Sequence, residues 1–226
     1  MQRQWYLIDE KGIRPVGEEK SEPENFWELF DQSGADAPWP DFVQVLVDAS
    51  AGRVVEGLLR SATTLELQAE EVTDKPELWE GSLLLTEEEG HTLIGEPGVD
   101  EEDRIMAALW SEELFGELRC DGAYFGFDPA AGTLFLTVYE AGRPLFAWCD
   151  SLLPGPSYAM VFDKDGQCRD EDPRRFALRR MDMPITSPLL DRHHFLRTEL
   201  ARFGLEQINP ELENSPIAAV VKVKQG

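Results

Sequence analysis

Apolar residues are densest between residues 122 and 149, where polar positions divide them into three short runs. The runs are 124–127, 133–139 and 145–149. Their aromatic and β-branched side chains favour a pleated backbone, so we predict three antiparallel strands with tight connections. In the middle run both alternating sets of residues are mostly apolar, which indicates a sheet that is covered on both faces, at least in part.

The connection after the first run has a turn chemistry that recurs along the chain. An apolar pair, an Asp, and a Gly three or four residues later occur at 8–12, 47–52, 127–132 and 162–166. Asp bonds its own backbone and Gly accepts a positive φ, so each of these segments favours a β-hairpin. The further predicted strands are 5–8 with 13–16, 42–47 with 53–59, 83–86 with 92–94, an edge strand at 64–68, one at 158–162, and a final strand at 217–223.

Helical periodicity and end signals mark four other segments. The predicted helices are one that opens at Ser21, one at 100–118, one that begins with Asp172 and Pro173, and one at 187–203. The apolar ridge of the second helix consists of Met106, Trp110, Leu114 and Leu118. The apolar stripe of the last helix consists of Leu189, Leu190, His193, Leu196, Leu200 and Phe203.

These patterns predict an α+β protein in which antiparallel hairpin sheets, with a central β-meander, pack against a few helices. A polar joint at 96–103 divides the chain into two subdomains of similar size, 1–95 and 96–226, of which the first is strongly acidic. The repeated turns are compatible with independent hairpins or with an internal duplication of these halves. Independent hairpins are favoured, because the matching turns are not accompanied by matching helices.

The chain has 226 residues and a net charge of −23, which is distributed unevenly. Residues 1–150 contain 33 acidic and 10 basic residues, whereas residues 151–226 contain 11 of each. A field of this sign repels nucleic acid and anionic membranes and steers cationic partners towards the protein. It therefore argues against direct nucleic-acid binding and favours a basic protein as partner.

No window approaches the ~18 apolar residues that cross a bilayer, and the N-terminus lacks the apolar core of a signal peptide. The three cysteines, Cys120, Cys149 and Cys168, are odd in number and widely spaced, without a C-x-x-C motif. We therefore expect reduced, mostly buried thiols in a cytoplasmic protein that does not bind membranes.

Two acidic runs are the candidate partner-binding residues. They are Glu87, Glu88 and Glu89, and Asp100, Glu101, Glu102 and Asp103. The first run lies in a predicted turn, and the second lies at the start of a helix, where carboxylates interact favourably with the helix dipole. Consecutive carboxylates point around a helix rather than converge, so we predict no metal site.

One basic cluster is a candidate anion-binding site. It consists of Arg174, Arg175, Arg179 and Arg180. Arginine forks bind phosphate and carboxylate groups in two-pronged geometry, so this cluster could hold a phosphate or an acidic partner. The alternative, which the excess of carboxylates favours, is that these arginines pair with the acidic part of the protein itself.

No catalytic motif of a nucleotide-binding or hydrolytic enzyme is present. His193 and His194 are adjacent, so on a helix they diverge by about 100° and do not form the i, i+4 pair of helical zinc sites. A Cys–His pair such as Cys120 with His193 stays open, because such partners need only be near in space. We predict no cofactor.

The leading function is therefore a non-enzymatic, acidic protein-binding module that engages a basic protein. Toxin-neutralising immunity proteins and secretion chaperones share this style, and the helix at 100–118 followed by the meander is similar to secretion-chaperone topology. The alternatives are an enzyme or small-ligand domain with a pocket between the sheet and the last helix, a nucleic-acid mimic, and a homodimer whose second copy closes the meander.

Overall fold

The computed structural model describes most of the chain. The described residues are 5–9, 12–16, 38–40, 42–65, 67–71, 82–88, 90–95, 105–128, 133–151, 155, 157–187, 190, 192–203 and 217–225. Predictions that fall elsewhere, such as the helix opening at Ser21 and the joint at 96–103, lie outside these residues. The division into subdomains 1–95 and 96–226 therefore stays a prediction.

Within this part of the chain there are thirteen strands and four helices. The strands are β1 (Trp5–Asp9), β2 (Gly12–Val16), β3 (Pro38–Pro40), β4 (Phe42–Val47), β5 (Leu67–Glu71), β6 (Ser82–Glu88), β7 (His91–Gly95), β8 (Gly122–Asp128), β9 (Thr133–Glu140), β10 (Arg143–Ser151), β11 (Tyr158–Phe162), β12 (Cys168–Glu171) and β13 (Ile217–Gln225). The helices are α1 (Ala51–Thr64), α2 (Ile105–Leu118), α3 (Pro173–Arg180) and α4 (Arg192–Ala201).

The strands form one small and one large sheet. The small sheet has three strands in the order β2-β1-β3, and the large one has ten in the order β12-β11-β10-β9-β8-β4-β7-β6-β13-β5. All of the pairings are antiparallel. The predicted α+β class with antiparallel hairpin sheets is confirmed.

The large sheet is covered by helices on both faces, as the two-sided apolar pattern predicts. On one face, α3 and α4 bury a first core with the sheet, in which Phe125, Leu136, Trp148, Phe176 and Phe195 take part. On the other face, α1 and α2 bury a second core, which includes Val45, Val55, Leu85, Leu114 and Phe115.

The central meander is confirmed with its register. Phe125 of β8 pairs with Leu136 of β9, and Leu136 pairs with Trp148 of β10. The predicted hairpins β1–β2 and β6–β7 are also present. In the turn between β11 and β12, the carboxylate of Asp163 accepts bonds from the backbone of Asp165 and Gln167, and Gly166 has φ +76°, so this segment is the hairpin turn that its sequence predicts.

The predicted strand at 53–59 is wrong, because α1 occupies this segment. The Asp48–Gly52 sequence therefore leads from a strand into a helix and does not form a hairpin turn. The buried residues Val54, Val55, Leu58 and Ala62 follow a helical spacing. The Val-Val pair favours strand locally, but packing of this stripe on the sheet outweighs that preference.

Two other boundaries differ from the predictions. The edge strand placed at 64–68 is β5, which begins only after α1 ends and does lie at a sheet edge. The last helix begins at Arg192 rather than at Ser187. The backbone N–H of Ser187 donates to the carbonyl oxygen of Pro184, and its own carbonyl oxygen accepts a bond from Arg174. Strands β3 and β12 were not predicted.

Replacing Gly122 by Ala should lower the free energy of unfolding by about 2 kcal/mol, because overpacking is costly where the backbone cannot yield. A Cβ at this position would overlap the carbonyl oxygen of Leu46 and the ring of Phe115. The matched control is Gly116→Ala in α2, where a Cβ meets open space, and which should raise stability by about 0.5–1 kcal/mol. Urea unfolding of both variants tests this prediction, and equal effects would contradict it.

Candidate functional site

The structure places one of the predicted partner-binding side chains at the start of α1. The carboxylate of Glu87 accepts a bond of 2.7 Å from the backbone N–H of Ala51, the first residue of that helix. A carboxylate here satisfies a free N–H and interacts favourably with the helix dipole. Glu87 therefore has a structural role, although it is exposed. Glu89 and residues 100–103 lie outside the described part, as does the side chain of Glu88.

The four arginines of the predicted anion site have different surroundings. Arg179 bonds Glu171 at 2.5 Å, and Arg169 bonds the same carboxylate at 2.7 Å. Arg180 faces Glu199, Arg174 donates to the carbonyl oxygen of Ser187, and the side chain of Arg175 is exposed.

Three of these four guanidinium groups thus bind protein atoms, and they are not gathered around one point. Their carboxylate partners, Glu171 and Glu199, lie in the last third of the chain rather than in its acidic part. The arginines do pair with carboxylates of the protein itself, as predicted. The prediction that these carboxylates come from residues 1–150 is wrong. Partial burial works against ionisation of Glu171, yet the bonds from Arg179 and Arg169 outweigh burial and lower the pKa of that carboxyl group.

Glu199 is the most deeply buried charged side chain among the described residues, with 1 % of its surface exposed. Arg180 binds it with two bonds, of 2.8 and 2.6 Å. Arg202 adds a third bond of 3.0 Å and also donates to the carbonyl oxygen of Arg180. The guanidinium of Arg180 lies 4.9 Å from the ring centroid of Phe146, so a network of charge and aromatic contact joins α3, α4 and the sheet.

Burial raises the pKa of Glu199, and the hydrogen bonds and charge of Arg180 oppose that shift. Sequence reasoning missed this network. The available signal was a glutamate directly beside Leu200 and three residues after Leu196, which puts a carboxylate on the apolar stripe of the helix. A carboxylate on such a stripe needs a cationic partner, and the arginine cluster supplies it.

A second polar network lies where β10 ends. One carboxylate oxygen of Asp150 accepts a bond from Arg192 at 2.5 Å. The other accepts a bond of 3.0 Å from the hydroxyl of Ser157, and that hydroxyl in turn accepts the backbone N–H of Ser151. These contacts attach the first residue of α4 to the edge of the meander, which is a structural role.

The candidate nucleophile Cys120 is not activated. Burial raises its pKa to about 11, with Arg53 opposing and Asp48 and Asp121 adding to the rise. Cys120 belongs to the core on the α1/α2 face, whereas the buried residues of α4, the helix of His193, belong to the core on the opposite face. Cys120 and the buried residues of α4 thus lie on opposite faces of the sheet, and at neutral pH the Cys120 thiol stays protonated.

The other thiols differ in access. Cys149 is buried, and burial followed by the charge of Asp150 raises its pKa to about 11, while a hydrogen bond with Tyr158 opposes the rise. Cys168 on β12 is exposed. His91 lies 3.4 Å from the carboxylate of Asp48. Within the described ranges, no three His, Cys, Asp or Glu side chains are placed to hold a metal ion.

The space between the sheet and α4 is filled by aromatic rings in the part of the chain that the structure describes. The centroids of Trp148 and Phe195 are 4.8 Å apart, those of Phe146 and Phe176 are 5.0 Å apart, and all four rings are almost fully buried. These four rings therefore form part of the core that α3 and α4 bury with the sheet.

The opposite side of the meander carries an apolar surface that belongs to neither core. We name it the outer meander face, and it consists of Phe135, Cys149, Tyr158, Met160 and Phe162. Tyr158 is 41 % exposed, and the other side chains except Cys149 are half-buried. The two-sided apolar pattern of the sequence indicates such a surface, and the homodimer alternative places a second copy of the chain on it.

No helix in the described part of the chain is long and apolar enough to span a membrane. Comparison of the chain with protein-family models, with curated proteins and with solved structures finds no match in any of the three.

Proposed function

We propose that this protein is a non-enzymatic, acidic binding module for a basic protein partner. The observation that carries the proposal is that arginine side chains of the protein bind its own carboxylates, while an excess of negative charge remains. The net charge is −23, and several of the guanidinium groups that the structure describes bind carboxylates of the protein itself. Arg180 and Arg202 bind Glu199, Arg169 and Arg179 bind Glu171, and Arg192 binds Asp150.

Carboxylates, in contrast, remain on the surface. Glu56, Glu112, Glu113 and Glu140 are exposed, and most of the net negative charge of the sequence lies in segments outside the described residues. A surplus of this kind accelerates encounter with a cationic protein and weakens encounter with nucleic acid and anionic membranes.

The chemistry of the two buried thiols supports a binding function rather than a catalytic one. Cys120 and Cys149 have pKa values of about 11, so neither is a thiolate nucleophile at neutral pH. The charged groups that the structure does bring together, around Glu199 and Asp150, are satisfied by their own partners and stabilise the positions of α3 and α4.

Affinity isolation from the native host lysate tests the proposal. With the tagged protein as bait, we expect one basic protein in stoichiometric amount at about 50 mM salt, and much less of it at about 0.5 M salt, where the Debye length falls to a few ångströms. A variant in which Asp100, Glu101, Glu102 and Asp103 become amides should recover about tenfold less partner, which corresponds to 1.4 kcal/mol.

The matched control removes the same charge elsewhere, by changing Glu71, Glu112, Glu113 and Glu140 to Gln. It should reduce recovery less than threefold, a change of about 0.6 kcal/mol, because exposed charges away from an interface act only at long range. Recovery that is the same at both salt concentrations, or no stoichiometric protein at either, would contradict the proposed function.

A further inference from the structure

The outer meander face is a continuous apolar patch in the sheet register. Cys149 of β10 pairs with Phe135 of β9 on one side and with Tyr158 of β11 on the other. Phe162 pairs with Cys168 of β12. Directly paired residues of antiparallel strands project from the same face, so these five side chains are neighbours on one surface.

Neither of the two helices that the structure describes on this side of the sheet, α1 and α2, covers the patch. The chief sheet contacts of α1 are with β5, β6, β7 and β13, and those of α2 are with β4, β8 and β10. The stacked rings of Phe115 and Tyr139, 4.2 Å apart, mark the place where α2 meets the meander. Beyond that point, Tyr124 and Phe135 lie 4.9 Å apart and extend the apolar surface towards β11.

The dimensions of the patch suit one helix. Neighbouring strands lie about 4.8 Å apart and a strand residue rises about 3.3 Å, so three strands of five residues span roughly 10–15 by 17 Å. A helix with its side chains is about 10–12 Å wide, and about eleven residues cover that length. The rest of this face is covered in the same manner, by α1 and α2.

The charges beside the patch select the partner. Asp170 pairs with Met160 and so lies on the same face, and Asp163 and Asp165 lie in the exposed turn that follows Phe162. Lys164 in that turn, and Arg143, which donates to the carbonyl oxygen of Lys164 at 3.1 Å, offset two of these three charges. A second copy of this chain would bring a further net charge of −23, which opposes self-association, whereas a cationic segment gains from the same field.

We propose that the outer meander face docks an amphipathic helix of a basic protein, with its apolar side on Phe135, Tyr158, Met160 and Phe162 and its cationic side chains towards the acidic rim. This inference rests on the proposed function and assigns the surface that carries it. An apolar groove or face with charged edges is a common receptor for such helices.

The exposed thiol of Cys168 gives a direct reporter, since it lies beside Phe162 while Cys120 and Cys149 are buried. An environment-sensitive maleimide dye on Cys168 is titrated with a 14-residue amphipathic helix of Lys and Leu. A peptide of the same composition, with the Leu residues distributed evenly around the helix, is the control probe. We expect a saturable, one-to-one change in emission with the amphipathic peptide and a change at least tenfold weaker with the control.

Two variants separate the patch from the general negative charge. Tyr158→Ser combined with Met160→Ser should weaken binding of the amphipathic peptide at least tenfold. Ile185→Ser should leave it unchanged, because Ile185, which is 58 % exposed, follows α3 on the other side of the sheet. Unchanged circular dichroism establishes that each variant keeps its fold.

Several results would overturn the docking surface. They are equal binding of the two peptides, no loss of affinity in the Tyr158/Met160 variant, no binding of either peptide, and a dye signal that depends on the concentration of the protein alone, which would indicate self-association through this face. The affinity isolation from lysate is independent of these measurements. A salt-sensitive basic partner recovered equally by the Tyr158/Met160 variant would preserve the proposed function and remove this surface from it.

Discussion

Replacing Glu199 by Ala should lower the free energy of unfolding by about 3 kcal/mol, because removal of one partner leaves Arg180 with an uncompensated, mostly buried charge. The side chain of Arg180 is only 24 % exposed, and it loses both bonds to the carboxylate. The estimate is at the low end of values for buried pairs, since Arg180 and Arg202 keep some access to water. Urea unfolding measures the change, and a loss below about 1 kcal/mol would show that the network contributes little.

A double variant distinguishes the attraction between Glu199 and Arg180 from the cost of burying their charges. Glu199→Leu with Arg180→Met replaces both charges by apolar groups of similar size, and such replacements of buried pairs are often neutral. We therefore expect the double variant to be more stable than either single one. Additive losses would indicate that α3 and α4 depend on the charges themselves rather than on the space they fill.

The pH dependence of Glu199 has a defined sign. Since burial raises the pKa of Glu199, the folded protein holds that proton more tightly than the unfolded chain does. Stability from this group is full below the unfolded pKa of about 4.3 and falls as the pH rises through the raised folded pKa. The stability of the native protein relative to Glu199→Gln should therefore decline as the pH rises above about 4.3, and a rise in stability instead would show that the arginines outweigh burial.

The parts of the fold that were predictable are those whose signals are local. The meander was predictable because its strands are short apolar runs joined by tight turns such as 141–142, where Gly142 has φ +81°. The helix α3 was readable because Asp172 and Pro173 form a complete start signal, and the carboxylate of Asp172 does accept the backbone N–H of Arg175.

The wrong predictions concern segments whose secondary structure depends on contacts with residues far away in the sequence. The strand predicted at 53–59 followed the β-branched pair Val54 and Val55, but Glu87 caps this segment as a helix from across the sheet. Gly57 then allows close approach, since a Cβ there would meet the side chains of Leu114 and Leu118 in α2. Neither contact is visible in a window of the sequence.

The candidate sites also divide into features that local sequence predicts and features that depend on long-range contacts. Their composition was readable: an excess of carboxylates, one arginine cluster and an apolar two-faced meander. The pairing was not, because Glu171 and Glu199 reach the arginines through the β11–β12 hairpin and through the packing of α4 on α3. The position of Glu199 on the apolar stripe, three residues after Leu196, indicates a carboxylate that needs a cationic partner, but it does not identify the arginine that supplies it.

Replacing Trp148 by Ala should have the largest effect, a loss of about 4 kcal/mol, in the range measured for buried aromatic residues cut to Ala. Trp148 is 1 % exposed and lies on β10, the last strand of the meander, where its ring centroid is 4.8 Å from that of Phe195 in α4. Its indole N–H donates to the carbonyl oxygen of Pro173, the first residue of α3, at 3.1 Å. One side chain thus connects three elements.

Trp148→Phe is the matched control for this prediction. It keeps a ring for Phe195 but loses the indole N–H, so the carbonyl oxygen of Pro173 loses its donor and we expect a smaller loss of about 1–2 kcal/mol. Urea unfolding followed by near-ultraviolet circular dichroism distinguishes the two variants, because the Ala variant also frees α3 and α4 from the sheet and removes the aromatic signal. Equal losses in the two variants would mean that the hydrogen bond to Pro173, and not the packing of the ring, holds these helices on the meander.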